Sequence, residues 1–195
     1  MKLKLTSIAL LIIVAASSAF VAPFKPVTYK VDVAKSTLTW VGKKVVGGHD
    51  GTIDLQSGNL LFNGKTLAGG NFIINMNSIK DTDKSARLEG HLKADDFFGT
   101  DKFPTSTFVV TKVAAKGADA TVTGDLTVKG VKNSITFPAK ITWNADGSVT
   151  ATADKILVDR TKFGIKFRSK GMFPDIGDKM IEDNFELAIK LVATK

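Results

Sequence analysis

Few residues in this chain are equipped for chemistry. His49 and His91 are its two imidazoles, and it has no cysteine. A thiol nucleophile, a thiolate metal site and a disulfide framework are therefore all excluded. Asp95 and Asp96 follow His91 by four and five positions, so an imidazole and a carboxylate can share one turn of chain. Such a pair suits general acid–base work near neutral pH on a substrate held beside it. His91 also follows Leu88 by three positions, beside the apolar face of any helix there, where hydrogen-bonded packing explains it equally simply. Both readings stand at this level.

Other signatures fail on spacing. Gly64-Lys65-Thr66 looks like the end of a phosphate-binding loop, but the glycine needed upstream is Asn59 and no helical pattern follows. It reads instead as a hairpin turn. Asp81 and Asp83 open like a calcium loop, yet Ala86 and Leu92 stand where glycine and glutamate are required. They read as N-terminal caps for a following helix. With two histidines, a zinc site would need at least two carboxylates as well, and no metal site or cofactor is assigned. There is no GxSxG nucleophile elbow.

The elements that must position these groups are mostly strands. Residues 1–19 read as a secretory signal: Lys2 and Lys4 precede the apolar run Leu5–Ala16, and small residues end at Ala19. The run is shorter than the roughly 20 apolar residues a membrane span needs. Export to the periplasm or medium is the expectation, without a lipid anchor, and residues 20–195 form one domain. In that domain Tyr29, Val31 and Val33 alternate with polar neighbours, and Leu38 and Trp40 continue the pattern. Gly47–Gly51 reads as a turn. Short strands are expected at 52–56 and 59–62, then at Phe72, Ile74 and Met76. Downstream, Val122, Leu126 and Val128, then Ile135, Phe137, Ala139, Ile141 and Trp143, then Phe185 to Ala193, keep one apolar face. Strict period two of this kind marks antiparallel strands wet on one side. Eight or more such strands with short turns predict an all-β fold, a barrel in preference to a sandwich. Large and small inward residues alternate, so the interior is either filled or left as an apolar cavity.

Helical spacing interrupts the strands once. Residues 84–93 read as a short helix packing on Leu88 and Leu92. Asp95 and Asp96 stop it, Phe97-Phe98-Gly99 turns the chain, and Pro104 leads into a strand from Thr105. Phe97, Phe98 and Phe103 are placed at one end of the barrel. Arg160, Lys162, Lys166, Arg168 and Lys170 alternate with Phe163, Ile165 and Phe167. As one strand these would line up five cations, either on a solvated exterior or as a patch for an anionic head group or membrane. The formal net charge is +8, but its basic residues are dispersed, which argues against nucleic-acid binding.

The stretch EGHLKADDFFGTDKFPTSTF (89–108) resembles the hallmark of the YceI-like family: a helix bearing His-Leu, then Asp-Phe-Phe, then Phe-Pro before a strand. Leu126–Val131 with Ile135–Pro138, and Asp159–Ile165, match further family segments in order. So do Tyr29–Asp32 and Ser36–Trp40. The resemblance implies a single extended antiparallel eight-stranded lipocalin-like β-barrel with the short helix inserted midway. It also implies an exported protein binding a long-chain isoprenoid, isoprenoid quinone or fatty-acid derivative, with no established catalytic residues. Dimers occur in the family. Many relatives carry Arg-Asp ahead of the histidine where this chain has Leu88-Glu89.

The expected function is thus a lipid carrier or sequestering protein rather than an enzyme. The alternative is an isomerase- or hydrolase-type enzyme acting on a lipid-derived substrate through His91. A fully packed interaction module is a third reading. Candidate ligand-binding residues, in the cavity or at its mouth, are Trp40, Phe72, Ile74, His91, Phe97, Phe98, Phe103, Phe137, Trp143, Arg160 and Phe163. An apolar tail is held by burial, about 25 cal/mol per Å², so polar contacts are needed only at the mouth. Transient contact with an anionic membrane surface fits the basic run.

Overall fold

A computed structural model describes residues 25–171 and 177–195. The expected signal segment lies outside the described residues. The strands are β1 (Val27–Val31), β2 (Thr37–Lys44), β3 (Gly48–Asn63), β4 (Thr66–Asp81), β5 (Thr105–Lys116), β6 (Asp119–Val128), β7 (Val131–Trp143), β8 (Val149–Asp159) and β9 (Ile181–Thr194). One helix, α1 (Ala86–Lys93), separates β4 from β5. From β2 to β9 each strand pairs antiparallel with the next, and β9 returns to β2. β1 lies between β3 and β9, pairing with both, so β1 and β2 are two lengths of one side of the ring. The break between them is the turn Asp32–Ser36, tied by Ala34 N–H donating to Asp32 Oδ1 (3.1 Å) and Ser36 Oγ donating to the Asp32 carbonyl (2.7 Å). The expected eight-sided closed barrel is the fold, its ring completed where β9 returns to β2.

Strands β3 and β4 are 16 residues each, about 50 Å at the usual rise. They absorb what the sequence suggested were separate short strands, because register shifts between Leu55 and Ser57, and between Thr52 and Asp54, let the pairing continue past the breaks in alternation. Each shift also changes which residues face in. On β4 the inward set runs Phe72, Ile74, Met76 and then switches to Ile79 and Asp81. Ser78 fills the irregularity: its Oγ donates to the Asn75 carbonyl (2.6 Å) and accepts from Asp54 N–H (2.7 Å).

The expected Gly47–Gly51 turn is shorter than the sequence suggests. Gly47 carries the turn with φ +75°, and β3 begins at Gly48. Gly51 is a strand residue, glycine because a Cβ there would run into the Lys80 carbonyl of β4. His49 consequently sits in a strand and not in a loop.

A cavity in the helix half of the barrel

The barrel interior is built in two different ways along its length. At the end holding the β3–β4 turn, Tyr29, Phe62 and Trp143 meet edge to face with ring centroids 5.1–5.5 Å apart. Trp143 Nε1 donates to the Lys65 carbonyl (3.2 Å), so this large ring is satisfied as well as packed. Above them Phe72, Phe108 and Phe137 form a second aromatic layer. Gly124 makes room for it, since any Cβ would overlap the Phe108 ring. This half is filled.

The other half is hollow. A cavity of about 150 Å³ is walled by Leu38, Trp40, Ile53, Ile74, Met76, Leu126 and Val128. Its lining is almost wholly apolar: Ser106 Oγ donates to the Met76 sulfur (3.0 Å). Polar side chains gather at one rim, where Lys44, His49, Arg160 and Glu182 come together.

The roof is α1 and the turn after it. Ser85 caps the helix, its Oγ accepting from Leu88 N–H (3.3 Å). Asp81 and Asp83 are not the caps expected from the sequence: Asp81 Oδ2 accepts from Ser85 N–H (3.1 Å) and so holds the true cap in place. Glu89 reaches back from the first turn, accepting from Asp81 N–H (3.2 Å) and Lys80 Nζ (2.9 Å). These contacts aim Leu88 and Leu92 into the cavity, and Phe97 and Phe98 follow from the turn beyond Ala94. The helix starts two residues later than expected because Lys84 takes a left-handed φ of +58°.

A YceI-like domain signature matches residues 29–193. The chain belongs to the YceI-like family. Among curated relatives it is similar to Protein YceI of an Escherichia coli strain, 33% identical over 96 residues, covering 49% of this chain and 50% of that protein. It is also similar to a UPF0312 protein of Staphylococcus aureus, 40% identical over 89 residues, covering 43% and 50%. The chain thus spans about half the length of the curated relatives it matches. Among solved structures, BcnA of Burkholderia cenocepacia superposes with a TM-score of 0.70 at 25% identity, covering 84% of this chain and 99% of that one. A polyisoprenoid-binding domain from Saccharophagus degradans superposes at 0.65 with 14% identity, covering 85% and 97%.

Within this YceI-like barrel the expected site residues separate. Trp40, Ile74, Phe97, Phe98 and Arg160 line the cavity. Phe72, Phe137 and Trp143 belong to the filled half. Phe103 packs on Gly99 and Gly130 outside the lining, and Phe163 is buried apart from it. His91 is also outside the lining. Its Nε2 lies 2.9 Å from Asp96 Oδ2, and its ring stands edge-on between Phe97 and Phe167, at 5.1 and 4.7 Å. The lining residues Leu38, Met76, Leu92, Leu126, Val128 and Ile165 were readable as inward positions, but not as hollow ones. Lys44 and Glu182 carried no signal at all, and His49 stood out as an imidazole but not by its place at the rim.

The five-cation strand is corrected. Arg160–Phe163 is a 3₁₀ turn capped by Asp159, whose Oδ1 accepts from Thr161 N–H (3.0 Å), and the chain then bends through Gly164 at φ +78°. With no strand there, the cations share no face. Arg160 is 3% exposed. Its Nε donates to the Glu182 carbonyl (3.0 Å), Nη1 to those of Ile165 (3.0 Å) and Phe167 (2.9 Å), and Nη2 to that of Ile181 (2.9 Å). Burial pulls its pKa below the ordinary guanidinium value, opposed by Asp183 and Asp159. A guanidinium this committed to backbone oxygens has few hydrogens left for a head group.

Proposed function

We propose that this protein holds the apolar chain of an isoprenoid or similar long-chain amphiphile in the hollow half of its barrel, as an exported carrier or sequestering protein. The observation that carries the reading is the one-sided cavity: apolar walls and roof, with polar side chains confined to one rim. That is the arrangement an amphiphile requires, because burial holds the tail and only the head needs polar neighbours. The structural likeness to a polyisoprenoid-binding domain supports the same ligand class. About 150 Å³ is the volume of a cavity that takes one benzene-sized group, so it seats the end of a long tail and the rest passes out towards the rim. The position of His91 outside the lining favours binding over catalysis. The apolar run Leu5–Ala16 behind Lys2 and Lys4 supports export. Val45 and Val46, 50% and 69% exposed beside Lys43 and Lys44, suit brief contact with an anionic membrane at the rim.

Native mass spectrometry of delipidated protein with an isoprenoid quinone, an isoprenoid alcohol and a fatty amide tests the reading. One ligand per chain is expected, retained in His91→Ala. Absence of any adduct with all three overturns it, and turnover of a ligand that is lost in His91→Ala would replace carrier with enzyme.

A further inference from the structure

We propose that His49, Asp81 and Asp83 form a binding site for a divalent transition-metal ion at the cavity rim. Among the described residues, their donor atoms are brought within 4.8 Å of one another from three places: β3, the end of β4 and the turn before α1. The β4 register shift is what turns Asp81 inward, to 4% exposure.

Two atoms at this point are left without partners by the protein. Asp81 Oδ2 is pinned by Ser85 N–H, which fixes the carboxylate plane and aims Oδ1 at His49. Asp81 Oδ1 and His49 Nδ1 are both buried, and neither has a hydrogen-bond partner. They stand 3.6 Å apart. That is too long for a hydrogen bond, but close to the separation of about 3.4 Å between two ligands bound tetrahedrally at 2.0–2.1 Å to one ion. A buried, fixed carboxylate oxygen without a partner is costly, and a cation between it and the imidazole would remove the cost. The nearby ammonium groups are directed elsewhere. Lys80 is engaged by Glu89, and Lys44 Nζ lies 3.4 Å from the other imidazole nitrogen, Nε2. Asp83 is exposed and brings a carboxylate oxygen within 4.8 Å of both atoms, leaving further positions to water.

One imidazole with two carboxylates selects a borderline ion such as Zn²⁺ over Mg²⁺ or Ca²⁺, which take oxygen ligands. Binding at Nδ1 leaves the ring proton on Nε2, where Lys44 now stands, so Lys44 must withdraw as the metal enters. The ion would fasten the base of α1 to β3 whatever the cavity holds.

Calorimetric titration of the EDTA-treated full chain with ZnCl₂ tests it. One zinc per chain is expected, undisturbed by excess MgCl₂, with a zinc-dependent rise in melting temperature. Asp83→Asn should weaken binding at least tenfold, His49→Ala should abolish it, and Lys44→Met should tighten it. Because Asp83 is exposed, Asp83→Asn decides the matter even where His49→Ala folds poorly. No saturable binding overturns the proposal. So does zinc binding that both variants leave unchanged, which would be adventitious zinc on other surface carboxylates.

Discussion

The filled half and the hollow half of this barrel share one antiparallel ring and the same alternation of apolar and polar residues, with β1 on one side of the first and β2 continuing that side in the second. They differ in what closes them. Three interlocked aromatic rings, one hydrogen-bonded to the β3–β4 turn, seal the first from within. The second is roofed from outside by a helix of eight residues and the turn that follows it. A plug that grows inward from the strands consumes the interior, whereas a roof laid across the strand ends preserves it. Whether a barrel is a core or a container is therefore decided at its ends more than along its walls.

The sharpest way to break this contrast is to open the plug. Phe62 is fully buried among the three rings, and Phe62→Ala should cost about 3–5 kcal/mol in urea unfolding. A cost under about 1 kcal/mol would mean that the filled half is not the stability centre. Adding volume probes the same contrast from the other side. Ala151 faces inward in the filled half, between Ile141 and Leu191, and Ala151→Phe should cost about 1–3 kcal/mol by overpacking. Ile74→Phe places its extra volume in the cavity and should cost less than about 1 kcal/mol, while displacing the lipid adduct seen by native mass spectrometry. Equal costs for the two enlargements would erase the distinction between the halves.

The smallest effect concerns acid. Lys80 Nζ, hydrogen-bonded to Glu89, and then the Asp81 N–H hold the Glu89 carboxyl below its ordinary value. Its contribution to seating α1 is therefore fully present above the unfolded-state value of about 4.3. It is lost as pH falls through the lower folded-state value. Amide exchange, corrected for intrinsic rate, should show α1 loosening over that range while β6 and β7 stay protected. Uniform loosening of both halves would contradict a separately anchored roof.

The barrel itself was legible because strict alternation on β6, β7 and β9 has one physical meaning in a chain of this length. The helix was legible from Leu88 and Leu92, four apart. The hollow half was not, since Leu126 and Phe137 are both inward apolar residues and only three-dimensional packing separates a wall from a plug. Arg160 misled for a related reason. Its alternation with Phe163 and Ile165 imitates a strand, but Gly164 in the left-handed region and the Asp159 cap turn those residues into a 3₁₀ bend. The meeting of His49 with Asp81 was hidden by the β3 and β4 register shifts, which no local pattern announces.

Arg160 has one more consequence. Two of its carbonyl partners, Ile165 and Phe167, precede residues 172–176, and the other two, Ile181 and Glu182, follow them. One planar cation thus clasps both stems of the connection into β9. The clasp thereby holds the barrel end in register from the two stems alone. Lysine, with a single ammonium in place of the fork, cannot reach both stems at once.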